Sequence, residues 1–408
     1  PVIHGEIHIC NDKITYVGDP RFAPSADWDR EIDADSNIIM PGFKNAHTHS
    51  GMTFLRSYAD DLPLQNWLYD KVFPLEALLT PEDIYWCSRL AIMEYLTSGI
   101  TANFDMYQKT DAIVRASVDS CYRTVLCGSV NNFVSSVEEL EQNYLRYNNY
   151  DPLISSQLGF HAEYTTSEEL LHGIADLSHK YKAPVYTHNS ETADEVSDCV
   201  KRTGYTPTVY MERLGLLDHG GGGFHCVHMT EEDLDIYKEK GLWAVTNPSS
   251  NLKLASGIAP LTHMLDKGIS LAIGTDGPAS NNCLDMFREM FLVTGLAKVR
   301  EMDASAVDAK EVLKMATVNG AHAMGLKDCD VLAAGKYADM IRIDLKQPNM
   351  QPIHNICKNL VYSGSKANVK MTMVNGKILY ENGVFAEELQ AGKIYQTCEE
   401  ITRKLCDH

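Results

Sequence analysis

Pro41-Gly42-Phe43-Lys44-Asn45-Ala46-His47-Thr48-His49 decides the fold class of this 408-residue chain. A short apolar strand candidate, residues 39–43, leads directly into a pair of histidines. The same order recurs at residues 183–187 before His188, 241–245 before Asn247 and 269–273 before Asp276. From about Met40 to about Gly335 such strands alternate with longer segments of helical period, which marks repeated βα units. Chemically competent side chains just after strands lie where a (β/α)8 TIM barrel builds its site, so periodicity and placement predict that fold.

The two ends have a different texture. Residues 5–10 and 13–18 read as strands joined by a hairpin turn at Asn11-Asp12, and residues 338–344 and 370–380 are strand-like, the latter turning at Asn375-Gly376. The expected division is 1–40 and 336–408 in one small sheet domain, with the barrel over 41–335. Within the barrel, helices are legible at 82–96, introduced by Thr80-Pro81, and at 311–316.

A formal charge of −19 repels phosphate backbones and anionic membrane surfaces, so neither nucleic acid nor membrane is expected as a partner. Homo-oligomerisation is left open. The 11 cysteines are scattered without a CxxC pair, as in a chain kept reduced, and no run of apolar residues is long enough to span a bilayer. Residues 1–5 have neither the basic nor the apolar region of a signal peptide. A cytoplasmic location is the expectation.

His47 and His49 are two apart, and in extended backbone such residues point the same way, so both imidazoles can reach one ion. His188 and Asp276 follow separate strands of the same series. Three histidines and an aspartate assembled this way suit one divalent ion, Zn²⁺ first, with Fe²⁺ or Mn²⁺ as alternatives. A catalytic ion keeps an open position, where a bound water ionises near neutral pH. Glu191, three residues beyond His188, is free to act as acid and base, and His225, after the glycines 220–223, can polarise that water. Strand alternation turns Cys226 and His228 away from the ion.

The segment 41–49, His188 with Glu191, residues 225–228, residues 247–254 and Gly274-Thr275-Asp276-Gly277 together resemble the amidohydrolase superfamily. More narrowly, they resemble its cytosine-deaminase-like branch and the 5'-methylthioadenosine/S-adenosylhomocysteine deaminases. The resemblance implies a barrel flanked by a β-sandwich made from both chain ends. It implies His47, His49, His188 and Asp276 as ligands, with Glu191, His225 and Asp276 moving protons. His161 stands where binuclear members carry a bridging lysine, which implies a single ion. Trp67, Glu76, His161, Glu191 and Ser280 would contact substrate, Glu76 meeting ribose hydroxyls. The arginines that thioadenosine deaminases place after the third strand are absent from residues 128–136.

The expected reaction is hydrolytic deamination of a small-molecule substrate, an adenosine-type nucleoside: methylthioadenosine, S-adenosylhomocysteine or adenosine. Metal-bound hydroxide would attack the amine-bearing ring carbon, and ammonia would leave. Two alternatives stand beside it. The same site can act on a free base, a pterin or a triazine, displacing ammonia or chloride, or the chain can be a metal-binding pseudoenzyme.

Overall fold

A computed structural model describes residues 2–406. The chain opens with the antiparallel hairpin β1 (Glu6–Cys10) and β2 (Lys13–Gly18), in which Asn11 takes a left-handed φ of 54° at the turn. β3 (Ile38–Pro41) follows. The barrel strands are β4 (Phe43–Thr48), β5 (Ile100–Met106), β6 (Arg123–Cys127), β7 (Ile154–Ala162), β8 (Val185–Asn189), β9 (Gly221–His225), β10 (Trp243–Thr246) and β11 (Ser270–Ile273). After them come β12 (Met340–Ile343), β13 (Val369–Val374), β14 (Lys377–Glu381) and β15 (Val384–Phe385).

β4 to β11 form one parallel sheet in chain order. It is brought round to its own first strand by the N–H groups of Thr275 and Asp276, which both donate to His47 O at 3.1 and 3.0 Å. β4, β5, β6, β8 and β9 are buried along their whole length, because helices cover the outside and side chains fill the lumen. Ala46, Phe104, Tyr186, Phe224, Val245 and Ala272 pack that lumen. Outside, helix Pro81–Thr97 is nucleated by a reciprocal Thr80–Asp83 capping box, and the C-terminal helix Ala391–Cys406 packs against it.

The strand candidate 39–43 divides at Gly42. Gly42 N–H donates to Asp339 O at 3.2 Å, whereas Phe43 N–H donates to Gly99 O at 2.9 Å. β3 therefore joins the end sheet, and β4 starts the barrel. Hydrophobic pattern alone carries no sign of this exchange of partners. It also moves His47 inside its strand rather than just after it.

The end sheet runs β15-β14-β13-β12-β3 and is antiparallel. The β1–β2 hairpin covers it, burying Ile14, Met340, Met371 and Met373 between the two layers. This is the small sandwich built from both chain ends. Buried Arg123 ties it to the barrel: Nε donates to Asp339 Oδ2 at 2.7 Å and Nη2 to Asn375 Oδ1 at 3.1 Å. None of the 11 cysteines forms a disulfide, and among the described residues no helix is long and apolar enough to cross a membrane.

Candidate active site

The ends of three barrel strands bring His47, His49, His188 and Asp276 together, with one ligand-capable atom from each within 4.8 Å of all the others. His47 lies near the end of β4, His49 one residue beyond it, His188 near the end of β8 and Asp276 three residues beyond β11. Asp276 has a left-handed φ of 57°, which turns its carboxylate back over the barrel mouth. Gly274 makes room for this loop, since a Cβ there would lie 2.7 Å from His47 Cβ.

Two of the three imidazoles are aimed by their other nitrogen. Nδ1 of His49 donates to Met106 O, and Nδ1 of His188 donates to His161 O at 2.7 Å, so both turn Nε2 inward. The His47 ring is fully buried and stacked on Phe224 at 3.8 Å, yet neither ring nitrogen has a hydrogen-bond partner. Asp276 Oδ1 stands 3.4 Å from His47 Nε2, outside hydrogen-bond geometry, and 3.1 Å from His49 Nε2. A buried imidazole without a protein partner is costly unless a ligand satisfies it. Three nitrogens and one carboxylate oxygen fit a first-row divalent ion.

Electrostatics keep His47, His188 and Asp276 in ligating form. Burial pushes the His47 imidazole down to about 3, so it is neutral at pH 7, and pushes His188 well below its ordinary value. Burial opposes ionisation of Asp276, but the adjacent His47 and His49 rings hold its carboxyl well below the usual range. Its other oxygen, Oδ2, accepts from Ser250 Oγ at 2.6 Å and Ser280 Oγ at 2.8 Å.

Glu191 and His225 stand beside this group. His225 Nε2 is 3.8 Å from Glu191 Oε2 and 4.0 Å from Asp276 Oδ2. Its Nδ1 donates to Asn251 Oδ1 at 2.7 Å, which leaves Nε2 as the working nitrogen. Glu191 Oε1 accepts from Ser256 Oγ at 3.1 Å, and burial raises its carboxyl above the ordinary value. Glu195 holds this turn by accepting the N–H groups of Ser190 and Glu191, each at 2.8 Å. β9 ends at His225, where His225 and Cys226 both have positive φ, so strand alternation does not extend to Cys226 and His228. They nevertheless face elsewhere: Cys226 Sγ contacts Gly223 O, and the His228 ring bonds Ser256 O.

These groups floor a cavity of about 470 Å³ whose lining includes Trp67, Glu76, His161 and Ser280. Burial pushes the Glu76 carboxyl up to about 7, and its Oε1 has no hydrogen-bond partner. Burial brings the His161 imidazole down to about 4. The residues anticipated from sequence therefore converge on one place. The sequence did not disclose the roles of Ser250, Asn251 and Ser256. The segment 247–254 stood out there as a motif, but only the folded chain shows Ser250 and Asn251 bracing Asp276 and His225.

The amidohydrolase family model matches residues 38–379. The chain belongs to the amidohydrolase family. It is 42% identical to the 5-methylthioadenosine/S-adenosylhomocysteine deaminase of Moorella thermoacetica, over 99% of this chain and 96% of that one. Among solved structures, an adenosine deaminase from Xanthomonas campestris with bound zinc superposes with a TM-score of 0.93 at 32% identity, over 98% and 93% of the two chains. Atrazine chlorohydrolase from Arthrobacter aurescens superposes with a TM-score of 0.90 at 23% identity, covering 98% and 96%, and shares the fold. In this amidohydrolase the histidine–aspartate group lies at the C-terminal end of the barrel strands, where such folds place their chemistry.

Proposed function

We propose that this amidohydrolase deaminates an adenosine-type nucleoside by hydrolysis, with water replacing the exocyclic amine and ammonia leaving. The observation that carries the reading is the grouping of Glu191 and His225 beside the His47, His49, His188 and Asp276 cluster, on the floor of a nucleoside-sized cavity. The kinship with deaminases over nearly the whole chain supports it.

His47, His49, His188 and Asp276 would hold one divalent ion, zinc in our reading, and that ion supplies an acidified water. The remaining work belongs to side chains. Glu191, kept protonated more readily by its burial, donates to the ring nitrogen next to the amine-bearing carbon. That donation lets the carbon accept water's oxygen. Asp276 Oδ2 and His225 Nε2 receive the proton that water gives up. Returned to the amine, that proton makes ammonia the leaving group; as the carbon–nitrogen bond breaks the new hydroxyl becomes a carbonyl and gives its proton back to Glu191, while the ring nitrogen keeps the one it received. His161, Trp67 and Ser280 position the base.

Glu76 favours a nucleoside over a free base. Glu76 lines the cavity beside the Tyr107 hydroxyl, and its buried Oε1 makes no hydrogen bond; ribose hydroxyls would satisfy it, whereas a bare pterin or triazine would leave it idle. Cysteines without a disulfide fit a reducing cytoplasm.

Ammonia release from metal-loaded protein, measured across adenosine derivatives, free bases, pterins and triazines, tests this reading. Glu191→Gln should lower kcat by roughly 10²–10⁴-fold and keep the metal. Unchanged turnover in that variant would sink the mechanism. Turnover confined to free bases, pterins or triazines would sink the substrate class.

A further inference from the structure

We propose that the cavity selects by the charge of the nucleoside's 5' substituent, accepting a hydroxyl or a short alkyl thioether and rejecting an amino-acid carboxylate. This rests on the nucleoside deaminase reading above. Among the described residues lining the cavity there is no lysine or arginine, and its acidic groups are Glu76, Glu191 and Asp276. A carboxylate entering it would lose water and find no lysine or arginine to pair with.

The amides in the wall are neutral and do not replace the missing cation, and each already gives one N–H to a backbone carbonyl. Asn131 Nδ2 donates to Ser129 O, and Asn131 Oδ1 accepts from the backbone of Phe133 and Val134. Gln108 Nε2 donates to Glu76 O at 3.0 Å. Lys71 and Lys109, next to the lining residues Val72 and Gln108, are exposed and do not line the cavity, and two other basic residues near the wall are engaged. Lys253, next to the lining residue Leu254, donates to Asp60, Ala279 O and Asn282, and Arg202 pairs with Glu163 at 2.6 Å. Leu64, Leu68, Phe73 and Val134 make part of the wall apolar, with Phe133 largely exposed to solvent, and the neutral hydroxyls of Tyr69 and Tyr164 stand beside them. Such a wall suits a thioether methyl and offers a carboxylate no cation.

The test compares kcat/KM of the metal-loaded enzyme for methylthioadenosine, S-adenosylhomocysteine and the methyl ester of S-adenosylhomocysteine. The ester retains length and bulk but lacks the carboxylate. S-adenosylhomocysteine should be slower than methylthioadenosine on the order of 100-fold, with the ester recovering at least about half of that gap on a logarithmic scale. Equal rates for the first two overturn the proposal. So does an ester as poor as the acid, which would make bulk the discriminant. If no adenosine derivative is deaminated, the deaminase reading fails and takes this one with it.

Discussion

Asp276 reaches His47 twice across the barrel seam: its N–H donates to His47 O at 3.0 Å, and its Oδ1 lies 3.4 Å from His47 Nε2. The last strand closes on the first at two residues proposed to share the ion. Closure of the barrel and assembly of the site are therefore one event. An ion held there clamps the seam as well as serving the chemistry.

Removing the metal should accordingly cost stability along with activity. A ligand present at 100 to 1,000 times its Kd stabilises the native state by about 3–4 kcal/mol. Calorimetry before and after chelation should show a melting temperature lower by at least a few degrees, restored by stoichiometric zinc or manganese. Complete loss of metal with an unmoved transition would contradict a shared role at the seam.

Asn251 holds His225 through a 2.7 Å bond from Nδ1, and the bond places the free lone pair at Nε2. Asn251→Leu should reduce kcat/KM by roughly 10–100-fold with metal content intact, as when other orienting partners are lost. Asn251→Asp, which keeps an acceptor, should regain part of the loss and shift the pH profile. A profile and rate identical to wild type in the leucine variant would remove Asn251 from the machinery.

Glu289 is buried between the backbone N–H of Ser249 and the side chain of Asn281, and burial pushes its carboxyl up to about 7. The ordinary value is 4.5, so the unfolded chain ionises first as pH rises. The contribution of Glu289 to stability is complete below about pH 4.5 and declines as pH climbs to about 7. Glu289→Gln does not titrate. Its stability deficit relative to wild type should be largest near pH 5 and shrink by up to about 3 kcal/mol by pH 8. Denaturant titrations at the two pH values measure this, and a deficit that grows with pH would refute it.

Arg123 and Asp339 form a buried pair between β6 and the end sheet, with side chains at most 2% exposed. Arg123→Met leaves the buried Asp339 without its guanidinium, keeping only the Asn375 N–H and the field of Lys44, which should destabilise the protein by about 3–5 kcal/mol. The site lies at the other ends of the strands, so activity per folded molecule should hold. Equal stability in urea would show that the sheet domain docks without this pair.

The pattern of apolar strands, helical segments and strand-end histidines determined the barrel, because strand and helix periods are local properties of a chain. The i, i+2 spacing of His47 and His49 and the hairpin at Asn11-Asp12 were legible for the same reason. Other features depend on groups far apart in sequence, and only the folded molecule decided them. Residues 39–43 divided between two sheets because Gly42 and Phe43 bond different partners. Ser256 came to Glu191 across 65 positions, and Arg123 to Asp339 across 216. The charge of the cavity likewise emerged only when its walls assembled. Sequence alone singled out the residues proposed to ligate and transfer protons, while tertiary packing decided which neighbours hold them and which charges line the cavity, since burial and long-range contacts set both.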